Sequence, residues 1–205
     1  MARRGAAVNR GGAIPVRARS GRDGRTAQFQ RRVVLRDGGQ VLLRYVDAAD
    51  KDAVRRMFGR LSPDSRYLRF HHYKPGLSDR EIDYFCDVDQ QDHVALLAEV
   101  RRRGRDEVVG VGRLYRLPGS DSGEVSFVVE DAEQGRGIGT ALLESLAGLA
   151  LERGVTTLVA ELLYQNTVMM HVFRRYDPAL QVVVNGHCYR VSFTAREGED
   201  EAAEA

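Results

Sequence analysis

The sequence predicts a mixed α/β fold: a mostly antiparallel central sheet with flanking helices. Three observations predict it. The β-branched and aromatic runs "HVALLAEVR", "EVVGVGRLYRL" and "EVSFVVE" succeed one another across the turn segments "RRGRD" and "PGSDSG", which is the pattern of an antiparallel meander. A strand–helix–strand passage then leads from "EVSFVVE" to "TTLVAEL", and such a crossover requires those two strands to be parallel. Finally, "LQVVVNGHCYRVSF" sets Asn185-Gly186 between two apolar runs, a hairpin signal.

Element by element, the chain begins with residues 1–39, which carry many arginines (Arg3, Arg4, Arg10 and Arg17 among them) and only Asp23 and Asp37 as acids. This stretch lacks apolar periodicity and is expected to be a disordered tail, as is the acidic "REGEDEAAEA" of residues 196–205. The domain is therefore expected over residues 40–195, a length sufficient for one sizeable core. "QVLLRYV" reads as its first strand. "DAADKDAVRRMFGRL" places aspartates ahead of an apolar stripe (Val54, Met57, Phe58, Leu61), a helix with an acidic entry. "SPDSRYLRF" reads as a second helix with Pro63 in its first turn. Ser78 and Glu81 have capping-box spacing in "SDREIDYF", which starts a third. After the meander, a helix is expected from Gly137 to Arg153, with Leu142, Leu146 and Leu149/Ala150 on one face and Gly154 closing it. "TTLVAEL" is the next strand, "QNTVMMHVFRRY" the last helix, and the hairpin ends the domain.

Composition excludes some functions. The chain is 43% hydrophobic and 29% charged with a net charge of +2, ordinary for a globular protein. No apolar run reaches the roughly 18 residues of a membrane span, and no apolar segment follows the N-terminal arginines, so a cytoplasmic protein without membrane contact is expected. Cys86 and Cys188 are isolated, and the histidines have no ligand spacing, so no metal is expected. The arginine-rich tail lacks interleaved aromatics or a recognition motif, which argues against nucleic acid as the main partner.

The chemistry concentrates in "DAEQGRGIGTALLESLAGLA", residues 131–150. A Walker loop fails because Gly139 is followed by Thr140-Ala141, and the dinucleotide fingerprint fails because Thr140 stands where a glycine is required. Q-x-x-G-x-G fits, through Gln134, Gly137 and Gly139. Successive backbone N–H groups at a helix start, unobstructed by side chains, offer a cradle for a pyrophosphate. Arg136 adds a charge there.

In its strand–loop–helix setting, "FVVEDAEQGRGIGTALLESLAGLALERG" resembles motif A of the GNAT superfamily of acyl-CoA-dependent N-acetyltransferases. "LVAELLYQNTVMMHVFRRY" resembles the family's motif B, with Asn166 at its asparagine, and "LSPDSRYLRF" is similar to the acceptor-side helices of the bacterial protein-lysine acetyltransferase (Pat-like) branch. The resemblance covers residues 40–195 and implies the GNAT fold, in which the two parallel strands splay. It implies acetyl-CoA as co-substrate, its pyrophosphate on the backbone of Gln134, Gly135, Arg136, Gly137, Ile138, Gly139 and Thr140. The pantetheine arm would then lie along Phe127, Val128 and Val129, with Asn166 beside it or capping its helix.

Acetyl transfer needs a neutral amine, and a lysine with a pKa of ~10.4 is neutral in about one molecule in 2,500 at pH 7, a shortfall of about 4.6 kcal/mol. A general base offsets this. Glu124 is the candidate, since the Pat-like branch has a glutamate at the matching place; the alternative is an ordinary exposed strand-end glutamate. Glu130 ranks below it. The family's tyrosine acid falls on Phe173 here, and Tyr164 and Tyr176 stand at other positions. Protein lysine is the first-choice acceptor and a small amine the second, in a monomer or homodimer. A non-catalytic acyl-CoA-sensing module and an arginine-rich nucleic-acid anchor are the readings from other classes.

Overall fold

The computed structural model describes residues 29–197. One eight-stranded sheet runs through the molecule in the order β1-β2-β3-β4-β5-β6-β8-β7. Its strands are β1 (Gln30–Val34), β2 (Gln40–Tyr45), β3 (His93–Arg102), β4 (Arg105–Arg116), β5 (Ser122–Val129), β6 (Thr157–Leu163), β7 (Gln181–Asn185) and β8 (Cys188–Thr194). The helices are α1 (Lys51–Arg60), α2 (Pro63–Phe70), α3 (Asp79–Cys86), α4 (Ile138–Leu151) and α5 (Thr167–Tyr176). Every neighbouring pair of strands is antiparallel except β5 and β6. The meander, the parallel pair and the closing hairpin all stand where the sequence placed them.

The N-terminal boundary differs from expectation. Gln30–Val34 pairs with β2 from Gln30↔Arg44 to Val34↔Gln40, so part of the stretch expected as tail is a strand of the sheet. Asp37-Gly38 turns the hairpin, with Gly38 at φ +80° and Leu35 N donating to Gly39 O at 2.7 Å. Residues 1–28 and 198–205, the remaining tail assignments, lie outside the described residues.

Local signals explain the helix starts. Asp47 and Asp50 cap each other's backbone in a single 3-10 turn ahead of α1. Ser62 caps α2 behind Pro63, and Ser78 with Glu81 forms the reciprocal box of α3. The helices cover both faces of the sheet. Leu43, Leu96, Leu114, Leu142, Leu143 and Leu146 belong to the core under α4 and α5. Met57, Phe58, Ile82 and Leu97 belong to a second core under α1 and α3. With both faces covered, β3 and β4 carry long apolar runs in place of alternation. α4 lies so close that a Cβ on Gly112 of β4 would sit 3.0 Å from Leu146 Cδ1. Its buried side therefore extends to Leu143 and Ala147, wider than the single stripe read from the sequence.

Candidate active site

β5 and β6 touch only at their beginnings. Their pairing covers Ser122↔Thr157, Gly123↔Leu158 and Glu124↔Val159, then stops. β5 stays with β4 through Val129↔Gly110, while β6 stays with β8 through Leu163↔Cys188. Held by different partners, the two strands diverge, and sheet twist carries them further apart. The wedge between them opens into a cleft of ≈ 710 Å³. Beyond Glu124, no strand among the described residues pairs with β5 on that side, so its backbone polar groups face the cleft.

The glycine loop forms the floor at one end. Asp131–Glu133 makes a 3-10 turn, Gly135 and Gly137 adopt φ of +78° and +101°, and α4 starts at Ile138 with no side-chain cap. Left-handed backbone of this kind favours glycine. The first intrahelical bond comes from Ala141 N to Gly137 O at 3.0 Å, so the preceding N–H groups have no acceptor within the helix. Gly139 is different: its backbone is ordinary, and a Cβ there would meet nothing within 4 Å. Its missing side chain leaves room on the cleft side. The Gln134 side chain braces the loop, donating to Val129 O at 3.0 Å and to Ser65 Oγ at 3.2 Å.

A buried ionic network underlies the loop. Glu130 and Glu133 are 5% and 7% exposed. Arg102 reaches Glu133 at 2.6 Å and Glu130 at 3.3 Å, and Arg60 reaches Glu130 at 3.1 Å. Carboxylates buried this deeply require such partners, and the hydrogen bond to Glu133 in turn holds the Arg102 guanidinium above its usual range. Glu130 is thereby committed to structure. Arg136 is drawn in too: its guanidinium pairs with Glu133 and, at 2.5 Å, with Asp37.

Of the residues expected at the cofactor site, Phe127, Val128, Val129, Gln134, Gly135, Gly137, Ile138, Gly139, Thr140 and Asn166 line the cleft, and so does Glu124. Arg136 does not. The arginine that meets the glycine loop on the cleft is Arg36, from the β1–β2 turn, with Cγ and Nε 3.8 and 3.9 Å from the position of a Cβ on Gly137. Sequence reasoning passed over Arg36 because its stretch was read as tail; the turn signal Asp37-Gly38-Gly39 between apolar residues was there to be found. Asn166 accepts from Met169 N at 3.2 Å and caps α5, so its capping role stands beside its position on the cleft.

β5 alternates its side chains between the two faces. Val125 and Phe127 point into the core under α4 and α5. Glu124, Ser126 and Val128 point to the other face, toward α2. Arg69 of α2 donates to Ser126 Oγ at 2.9 Å. α2 is tied to the glycine loop, because Asp131 accepts from Ser62 N at 2.8 Å, Ser62 Oγ at 2.6 Å and Ser65 Oγ at 2.8 Å. Glu124 is exposed on its strand, as the alternative reading had it, yet its carboxyl is held above the usual carboxylate range, first by desolvation among neighbouring atoms and then by the nearby charge of Glu161.

Phe173 is 3% exposed and packs against Phe127 and Phe193 at ring distances of 5.7 and 5.1 Å. Tyr164 donates to Gly186 O at 2.7 Å and Tyr176 to Arg196 O at 3.0 Å. None of the tyrosines lines the cleft. Cys86 is buried and Cys188 partly so, the latter 3.7 Å from His71 Nδ1. Among the described residues there is no cluster of three or more histidine, cysteine, aspartate or glutamate side chains suited to a metal. No helix among them is long and apolar enough to cross a membrane.

Comparison with known proteins places this geometry. A family model described as the acetyltransferase (GNAT) family matches residues 55–177. A curated acetyltransferase of Pseudomonas aeruginosa is 30% identical over 120 residues, which cover 58% of this chain and 64% of that protein's length. The crystal structure of the GNAT domain of S. lividans PAT is similar with a TM-score of 0.73 and 32% identity, over 80% of this chain and 96% of that one. A cAMP-binding acyltransferase from Mycobacterium smegmatis shares the fold at a TM-score of 0.60 and 24% identity, over 86% of this chain but 50% of its own length. yncA of Salmonella typhimurium, solved with its cofactor acetyl-CoA, shares the fold at 0.59 and 18%, over 80% and 98% of the two chains.

Proposed function

This chain belongs to the acetyltransferase (GNAT) family, and from that premise we propose that it transfers the acetyl group of acetyl-CoA to an amine, with Glu124 as general base. The observation that carries this reading is the divergence of β5 and β6 immediately after Glu124. It puts an unpaired strand edge, an uncapped helix start and a carboxylate around one cleft.

In this reading the pyrophosphate lies against the N–H groups at the start of α4. The Arg36 guanidinium adds positive charge there. The pantetheine amides pair with the open edge of β5 along Phe127, Val128 and Val129, as an added strand would. This places the thioester near the end of the paired segment, beside Glu124. The acceptor arrives as an ammonium, and Glu124 takes one proton from it through a water. The neutral nitrogen attacks the thioester carbon, and the C–N bond forms. Backbone N–H groups facing the cleft stabilise the oxyanion. The C–S bond then breaks and CoA departs as a thiolate. The nitrogen's second proton passes to solvent water, and water protonates the thiolate; Phe173 offers no proton and serves the core.

A raised carboxyl pKa suits Glu124 to this work, because a base is most effective when its pKa approaches the working pH. Protein lysine is the first-choice acceptor, supported by the likeness of the α2 segment to the lysine-acetylating branch; a small amine is the alternative. A cytoplasmic location belongs to the same proposal. Phe173 favours a second reading, an acyl-CoA sensor without turnover.

Glu124→Gln tests the mechanism. Turnover at neutral pH is expected to fall by roughly 10²–10⁴ with acetyl-CoA affinity kept. The deficit shrinks as pH rises, since the amine then deprotonates in bulk water. Wild-type activity is expected to decline as pH falls through the raised pKa and Glu124 becomes protonated. Full activity of the variant at every pH would remove Glu124 from the mechanism. Tight acetyl-CoA binding with no turnover on any amine would favour the sensor.

A further inference from the structure

Arg69 has surroundings unlike those of the arginines in the ionic network under the glycine loop. Arg60, Arg102 and Arg136 are all paired with carboxylates. Arg69 forms no ion pair among the described residues; its hydrogen bond goes to the neutral Ser126 hydroxyl, and its guanidinium lies 5.1 Å from the centre of the Phe70 ring. Behind it stands a second guanidinium, Arg113, 2% exposed, which donates to Phe85 O at 2.5 Å and bonds His93 Nε2 at 2.8 Å. Burial and Arg113 hold His93 down to about 3, so it is neutral and adds no counter-charge. Desolvation and the repulsion of Arg113 lower Arg69 to about 10, and it remains a cation at neutral pH.

A poorly hydrated guanidinium beside a second one, with no carboxylate in contact, is a costly arrangement. It becomes favourable when an anion enters. Arg69 lines the same cleft as Glu124 and lies within reach of its charge, while its side-chain hydrogen bond goes to Ser126. Its anchor, Ser126, lies two residues beyond Glu124 on the same face of β5, a spacing of roughly 6.6 Å. The cleft thus offers a carboxylate to meet an ammonium and, anchored at the next same-face position of β5, a guanidinium to meet an anion.

We infer that Arg69 is an anion subsite for the acceptor, so that the preferred acceptor is an amine carrying a carboxylate several bonds from its reacting nitrogen. This rests on the acetyl-transfer reading of the cleft. Arginine suits the role because its planar fork binds carboxylates in two parallel hydrogen bonds. The carboxylate belongs either to an acidic side chain flanking a target lysine or to the carboxyl end of a small ω-amino acid, whose amine stands several bonds away. The recognition chemistry is shared.

The test uses matched acceptors with the whole protein. One pair is a lysine peptide with glutamate beside the lysine and the same peptide with glutamine there. The other is an ω-amino acid of four or more carbons and its carboxamide. Wild type is expected to favour the carboxylate member of at least one pair by about tenfold or more in kcat/KM, and the pair that responds names the source. Arg69→Gln is expected to abolish that preference while leaving the neutral member within about threefold, and Arg69→Lys to restore part of it. Affinity of the same four compounds for the CoA-loaded protein is measured in parallel, without turnover. A binding preference that depends on Arg69 in a protein inactive on every amine would sustain the subsite and sink the acetyl-transfer reading. Equal use and equal binding of both members of both pairs, or an equal loss for all four in Arg69→Gln, would overturn the subsite.

Discussion

Two arginines meet the glycine loop with different neighbours, and the difference decides what each does. Arg136 belongs to the loop, yet its guanidinium is held by Glu133 and Asp37, and little of its charge is left for a ligand. Arg36 belongs to a distant turn but lies beside Gly137 on the cleft. Arg36→Ala is expected to weaken acetyl-CoA about three- to tenfold, or about 0.7–1.4 kcal/mol, and to flatten the salt dependence of binding. Arg136→Ala is expected to lower the melting temperature with a smaller effect on affinity, because it leaves Glu133 buried with one partner fewer. Calorimetry and thermal melts of the two variants separate these outcomes; the reverse ranking in affinity would return the phosphate contact to Arg136. Glu124 brings a stability consequence as well. Its folded-state pKa is raised, so the folded chain binds that proton more tightly than the unfolded chain does, and ionisation costs stability as pH rises through the raised value. Glu124→Gln removes that cost, and above this pH its melting temperature is expected to equal or exceed that of wild type. A clear drop would assign the carboxylate a structural role.

At the scale of elements, the signals that were local were the legible ones. Ser78 and Glu81, Pro63 behind Ser62, and Asn185-Gly186 act within a few residues of themselves, and α3, α2 and the closing hairpin begin or turn there. β1 was missed because its arginines were read as part of a polar tail, although Val33 packs on the core and Leu35, just after it, is 5% exposed. A chain starting at residue 37 loses that strand and uncovers the edge of β2, where Leu43 is fully buried. Its melting temperature is expected to fall by about 5–15 °C, the shift of roughly 2–4 kcal/mol in a protein of this size. An unchanged melt would show that β1 contributes nothing to the sheet.

For the whole molecule, what could be read in one dimension was the set of parts: the loop, its helix, the parallel strands and Glu124. What could not be read was which parts face one another. Arg69 stands 55 residues before Glu124 in the chain, and only the packing of α2 against β5, tied down by Asp131, brings them to one cleft. Arg36 reaches it from the far side of the sheet order. Nothing in the spacing of these residues encodes their meeting; it follows from sheet topology. The claim on which the rest depends is that this cleft receives acetyl-CoA against the start of α4, and Gly139 offers the most direct test. A Cβ there meets nothing within 4 Å, and leucine is a better helix former than glycine, so Gly139→Leu should fold at least as well as wild type while filling the space a pyrophosphate needs. Calorimetric titration of wild type and Gly139→Leu with acetyl-CoA, paired with thermal melts, is the measurement. Unchanged or higher stability with affinity reduced at least tenfold, or about 1.4 kcal/mol, is the predicted result, and undiminished affinity in the folded variant would contradict the account.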